Sequence, residues 1–230
     1  MAQQRVLVLA GRGRYEDPWH DHVAVAHRLA SILTERDCDV TVRSTFPDCA
    51  EDIDTFDLVI VNGSLGRKDP NFDGTDEDWM PCHEKFKAYA ENGGAILVYH
   101  VGINTFTDSP YWYDIVGGRW NRGVTYHPPL SDAHFHVIPG VHPITEGMTE
   151  ILVFDERYTL LEPADTSTIL VDQHEAGCEH ASVWVNEHEG RRVVFDSMGH
   201  FVESLDSPTR LELFLREVNW LLKRPVMDGI

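Results

Sequence analysis

Positive charge is scarce in this chain. Lysine and arginine total 19 against 38 aspartates and glutamates in 230 residues, a formal charge of −19 with neutral histidines. A surface so acidic repels phosphate polymers and anionic lipid, which excludes nucleic acid and membrane surfaces as partners. Long apolar runs are missing as well: no stretch approaches the roughly 20 residues that a membrane-spanning helix requires. The four cysteines, Cys38, Cys49, Cys82 and Cys178, form no C-x-x-C pair and suit reduced thiols better than a disulfide framework. No basic region, apolar run and small-residue cleavage site follow one another at the N-terminus, so a cytoplasmic location is expected. Repeats, low-complexity tracts and linkers are also absent. With 42% hydrophobic and 10% aromatic residues, residues 1–230 are expected to fold as a single globular domain.

Short apolar runs alternate with helical patterns in the first half, the signature of βαβ units and a parallel sheet. Strands are expected at Val6–Ala10, Val40–Val42, Leu58–Asn62 and Ala95–His100. Their near-continuous apolar character implies burial on both faces, so the fold class is α/β, a mostly parallel doubly wound sheet with helices on each side. Val23, Ala26, Leu29, Ile32 and Leu33 recur at helical spacing. Shorter helices are expected at Glu84–Glu91 and Pro208–Lys223, with loop from Gly63 to Pro81. Later strand candidates are Phe135–Ile138, Leu152–Tyr158, Ile169–Asp172, Ser182–Asn186 and Arg192–Asp196. The stretch from Val101 to Pro129 is rich in Gly, Pro, Trp and Tyr and has little period; loops of that length are usually functional.

In a doubly wound sheet the ligand crevice lies at the carboxyl ends of the strands. Reading those ends gives Gly11–His20, Asn62–Gly66, His100 and Gly199–His200. His100 follows an apolar strand and precedes Val101-Gly102, the position of a strand-to-helix elbow. His200 follows Val193-Val-Phe-Asp196 and is a second candidate base or ligand. In Asp155-Glu156-Arg157-Tyr158, strand alternation lets at most one carboxylate point inward, and Glu156 is the choice; a surface ion pair with Arg157 is the alternative. His100, His200 and Glu156 are therefore the expected catalytic set. They are also the candidate ligands of a divalent metal such as zinc or manganese, with His127 as an addition. Tyr15, His20, Asn62, Trp112, Arg119, Trp120 and His127 are the expected substrate-binding residues, since aromatic rings beside hydrogen-bonding groups suit the faces and hydroxyl rims of sugars. The opening of a calcium loop at Asp69–Gly74 fails at Met80, where a bidentate Glu is needed. His134 and His136 are read as the solvated face of an edge strand. Gly11-Arg-Gly-Arg14 breaks the dinucleotide fingerprint at Glu16, and Ser64 lacks the glycine spacing of a nucleophile elbow.

Several stretches occur together in order: Gly93-Gly-Ala-Ile-Leu-Val-Tyr-His100, Tyr113-Asp-Ile-Val-Gly-Gly-Arg119, His127-Pro128, His142-Pro-Ile-Thr-Glu-Gly147, Asp155-Glu-Arg-Tyr158, Val183-Trp184 and Met198-Gly-His200. Together they resemble the ThuA (trehalose utilisation) family, over nearly the whole chain. The resemblance implies the fold of a class I glutamine amidotransferase, which is flavodoxin-like. It also implies a role in carbohydrate metabolism, on a sugar or keto-sugar such as a trehalose derivative. The amidotransferase motif G-x-C-x-G is matched only at Gly102, with His100 where the nucleophilic cysteine belongs, so the chain is not expected to be a glutaminase. A small-molecule sugar is the expected partner, and the sequence neither requires nor excludes a homo-oligomer. Two functions compete: a sugar-modifying isomerase, lyase or hydrolase working by histidine and carboxylate acid–base chemistry, and a non-catalytic binding or assembly module on the same scaffold.

Overall fold

The computed structural model describes residues 3–227. In chain order the elements are β1 (Gln4–Ala10), α1 (His22–Thr34), β2 (Cys38–Ser44), β3 (Leu58–Asn62), α2 (Pro70–Asp73), α3 (Asp76–Glu91), β4 (Ala95–Tyr99), α4 (Trp112–Val116), β5 (Gly118–Arg119), β6 (Ser131–Val137), β7 (Glu150–Asp155), β8 (Glu162–Pro163), β9 (Thr168–Glu175), β10 (Cys178–Asn186), β11 (Arg192–Asp196) and α5 (Pro208–Leu221).

One large sheet runs in the order β2-β1-β3-β4-β11-β10-β9-β6-β7. From β2 to β11 every neighbour is parallel, with Val8 beside Ile60 and Val98 beside Phe195. From β11 outward the pairing is antiparallel, which extends the doubly wound core without further crossover helices. β5 and β8 make a separate two-stranded ribbon.

Alternation along the apolar strands sends side chains into two cores, one on each face. Val6, Val8, Leu58, Ile60, Leu97 and Val194 bury against α1 and α5. Leu7, Leu9, Val59, Val61, Ile96 and Phe195 pack on the opposite face with Trp79, Phe86 and Trp112 of α3 and α4. A run apolar at every position is what a strand covered on both sides demands.

Three local expectations are corrected. The helix expected at Glu84–Glu91 begins eight residues earlier, at Asp76, because Thr75 and Asp78 form a reciprocal capping box and the acidic first turn suits a helix N-terminus. Pro81 is tolerated inside α3. The strand expected at Leu152–Tyr158 ends at Asp155, so Glu156 and Tyr158 lie beyond the sheet. β6 is internal, flanked by β9 and β7, so His134 and His136 are not on an edge strand; their exposed rings pair with Glu150 and Asp172.

No helix among the described residues is long and apolar enough to cross a membrane.

Candidate functional site

The carboxyl ends of β1, β3, β4 and β11 open on one rim of the sheet, and the end of β7 folds over it. His100 caps β4 in the left-handed region at φ 49°, a conformation that His adopts more readily than most non-glycine residues but still at a cost of about 1 kcal/mol. Gly102 follows because a Cβ there would stand 2.4 Å from the Val61 carbonyl oxygen, so only glycine lets the turn after β4 close onto β3. This elbow holds the His100 imidazole, 2% exposed, under the rim.

Four side chains meet at that point. Ligand atoms of His20, His100, Glu156 and His200 all lie within 4.8 Å of one another. His100 Nε2 is 3.2 Å from His20 Nε2, 3.0 Å from the Tyr158 hydroxyl and 3.5 Å from Glu156 Oε2. Glu156 Oε1 lies 3.2 Å from His200 Nδ1 and 3.4 Å from His127 Nδ1. The ring orientations are fixed from behind. His100 Nδ1 donates to the Ser197 carbonyl at 2.6 Å, and His20 Nδ1 to both oxygens of Asp17 at 2.9 and 2.8 Å. Ser64 in turn donates to Asp17. Asp155, fully buried, accepts from the backbone amides of Gly199 at 2.7 Å and His200 at 3.1 Å and from the Ser204 hydroxyl at 2.6 Å, tying the end of β7 to the loop after β11.

These surroundings separate the two imidazoles named from the sequence. Burial, followed by the neighbouring His20, His200 and His127 rings, pushes His100 well below the ordinary histidine value, so it stays neutral. Burial also acts against charge on His200, but the Glu156 carboxylate outweighs it, with Asp155 and Asp17 adding to the effect, and its value is raised. For Asp17, burial opposes ionisation, while hydrogen bonds from His20, Ser64 and the Trp19 amide prevail and hold the carboxyl low.

Of the residues expected from the sequence, His100, His200, Glu156, His20, His127 and Trp120 come together in or around one cleft of about 240 Å³. Four do not. Tyr15 is fully buried between Trp79 and Phe106 with its hydroxyl on Asp108, because the turn at Gly13–Tyr15 directs it into the core. Asn62 is buried and holds the His22 carbonyl. Trp112 packs in the core and donates to the Ile103 carbonyl. Arg119 lies on β5 and pairs with Glu162. Both carboxylates of Asp155-Glu156 are buried, against the expectation of one, because the strand stops between them; Arg157 pairs with Glu175 instead. Asp17, Trp19, Ser64 and Tyr158 were not assigned roles from sequence. The spacing Asp17-x-x-His20 at the end of the first strand was the available signal for the first of them.

Residues 5–221 match the family described as ThuA, trehalose utilisation. The chain belongs to the ThuA family. No curated protein matches it. Among solved structures it is similar to a ThuA-like protein of Parabacteroides merdae at 17% identity and a TM-score of 0.75, over 99% of this chain and 93% of that one. A ThuA-like protein of Bacteroides uniformis shows 16% identity and a TM-score of 0.74, over 98% and 96%. A glutamine amidotransferase of Thermotoga maritima shares the fold at 11% identity and a TM-score of 0.54, over 98% and 86%. The amidotransferase-like fold expected of a ThuA chain is therefore present, with His100 at the elbow. Cys38, Cys49 and Cys82 are buried in the cores and Cys178 is exposed on β10.

The donor set of this ThuA site fits a divalent cation. Three imidazoles and one carboxylate converge, two of the imidazoles are oriented through their far nitrogens by a carboxylate and a carbonyl, and His200 Nδ1 is buried without an aligned hydrogen bond. His20, and not the additional candidate His127, completes the set; the His127 ring is 40% exposed at the rim.

Proposed function

We propose that the protein is a carbohydrate-processing enzyme acting on a sugar or keto-sugar, with the histidine–carboxylate cluster as its chemical centre. The observation that carries this reading is the convergence of His20, His100, His200 and Glu156 at the base of a cleft rimmed by Trp19, Trp120 and Tyr158. Aromatic walls beside hydrogen-bonding groups suit a sugar ring, and a scaffold without chemistry has no need to gather three imidazoles, two of them buried, around one carboxylate. His20, His100, His200 and Glu156 would hold a zinc or manganese ion. Such an ion supplies Lewis acidity to a sugar carbonyl or hydroxyl. Asp17 and the Ser197 carbonyl keep the Nε2 atoms of His20 and His100 turned to the centre. The Tyr158 hydroxyl offers a hydrogen at the same point.

A second reading is favoured by the divergent basicities of His100 and His200. Paired groups whose surroundings drive their pKa values apart serve as base and acid. Neutral His100 would take a proton through Nε2 from the carbon beside a sugar carbonyl. Protonated His200 would give its proton to the carbonyl oxygen, forming an enediol. Delivery of the His100 proton to the former carbonyl carbon, with the proton of the neighbouring hydroxyl passing back to His200, would leave the carbonyl on the adjacent carbon and complete an isomerisation.

One experiment tests both. Untagged protein is incubated in D2O with a keto-disaccharide and with its unoxidised parent, with zinc, manganese or EDTA, and followed by NMR. The keto-sugar is expected to exchange its α-proton or to be cleaved. Loss of turnover in EDTA selects the cation, and turnover that survives EDTA selects the acid–base pair. Sugars unchanged under every condition would overturn the assignment.

A further inference from the structure

In a chain with twice as many acidic as basic residues, a guanidinium without a partner is uncommon. Even exposed arginines here find one: Arg12 pairs with Glu16, Arg28 with Asp206 and Arg119 with Glu162. Among the described residues Arg67 and Arg122 are the two arginines whose side chains make no hydrogen bond, ion pair or ring contact. Both lie on loops that wall the same cleft. Arg122 lines it beside Trp120, on a tight turn closed by the Val124 and Thr125 amides bonding to the Asn121 carbonyl. Arg67 is two residues past Leu65, which also lines the cleft, so at most about 7 Å of chain separates it from that lining residue. Trp19, 73% exposed, stands at the same mouth.

We propose that Arg122 and Arg67 form an anion-binding rim, and that the sugar processed here carries a carboxylate or phosphate group. A guanidinium recognises either group through paired charge-assisted hydrogen bonds. Exposed arginines near the mouth also offset locally the repulsion that the chain's overall charge exerts on an anion. The cleft, at about 240 Å³, has the size for one sugar ring rather than a large glycan, with the anionic group reaching outward to the rim. This inference rests on the sugar-processing reading above.

The test is calorimetric titration of the purified protein, with and without added zinc, using glucose, glucuronate, glucose 6-phosphate, acetate and inorganic phosphate as probes. Wild type is expected to bind glucuronate or glucose 6-phosphate at least about 10-fold more tightly than glucose, the scale of one charge-assisted contact. Which of the two wins distinguishes carboxylate from phosphate. In the double variant Arg67→Ala, Arg122→Ala the advantage of the charged sugar over glucose should fall to within about 2-fold. Both side chains are on the surface, so the variant is expected to fold. Equal binding of charged and neutral sugars by wild type, or an advantage that survives the double substitution, overturns the rim and leaves the sugar reading standing. Arginine-dependent binding of acetate or phosphate without any sugar binding retires the sugar reading and keeps the rim. No binding of any probe overturns both.

Discussion

The Nε2 atoms of His20 and His100 face each other at 3.2 Å. Each ring gives its Nδ1 hydrogen to a group that only accepts, the Asp17 carboxylate and the Ser197 carbonyl, so in the neutral state both Nε2 atoms present lone pairs. Two lone pairs at that distance repel unless something positive lies between them. A shared proton or a bound cation meets that demand, and the Glu156 carboxylate beside both adds to it. The Tyr158 hydroxyl can serve only His100.

Replacing His100 with alanine should remove turnover, by at least about 100-fold, while leaving the chain folded. The residue lies at the end of β4 and no core strand depends on its ring. Far-UV circular dichroism and thermal unfolding check the fold, and the sugar assay checks the chemistry. Full activity in a folded His100→Ala protein would dismiss the centre.

Asp17→Asn tests the support behind His20. The asparagine oxygen can still accept from Nδ1, but it lacks the charge that fixes the tautomer and strengthens the ring as a donor. Loss of such a partner typically weakens a metal site or its activity by about 10- to 100-fold. The checks are zinc affinity by competition with a chelator and turnover measured alongside. Unchanged values for both would reduce Asp17 to packing.

The parallel half of this fold was legible because β1, β3, β4 and β11 carry unbroken apolar runs, and the same property marks where they end. His100 and His200 stand one and four residues past such runs, which is why they were found. Tyr15, Trp112 and Asn62 lie near cleft residues along the chain but turn away from the cleft. Which way they face is decided by Asp108, Ile103 and His22, partners between 9 and 93 residues away that no local pattern announces. Asp17 orients the His20 ring, a relationship that appears only once both are seen against His100.

Asp155 should be the residue most costly to remove for stability around the site. Its carboxylate satisfies the amides of Glu156, Gly199 and His200 and the Ser204 hydroxyl, all buried. Asp155→Ala leaves four donors without that acceptor, and unsatisfied buried donors cost about 1–3 kcal/mol each before relaxation. A loss of at least about 3 kcal/mol is expected, which for a domain of this size lowers Tm by roughly 6–12 °C. Thermal unfolding decides it; a shift under about 2 °C would mean that the loop after β11 is held by other contacts.

Glu217 provides a pH test remote from the cleft. It is fully buried on α5 next to Asp196, whose carboxylate pairs with Arg210 at 2.8 Å. Burial, and then the Asp196 charge, raise Glu217 well above the usual carboxylate range, with Arg210 opposing. The folded chain therefore keeps a proton that the unfolded chain releases. Its contribution to stability is complete below the ordinary value of about 4.3 and is eroded as pH rises toward the raised folded value. Glu217→Gln cannot ionise and should lose that part of the pH dependence. Tm of wild type minus Tm of the variant, measured from pH 4 to pH 9 (about the carboxylate range and above), is expected to fall as pH rises. Because Asp196 touches Glu217, the difference reports the buried pair rather than one carboxyl, and a difference that is flat with pH would show that Glu217 is not held protonated in the fold.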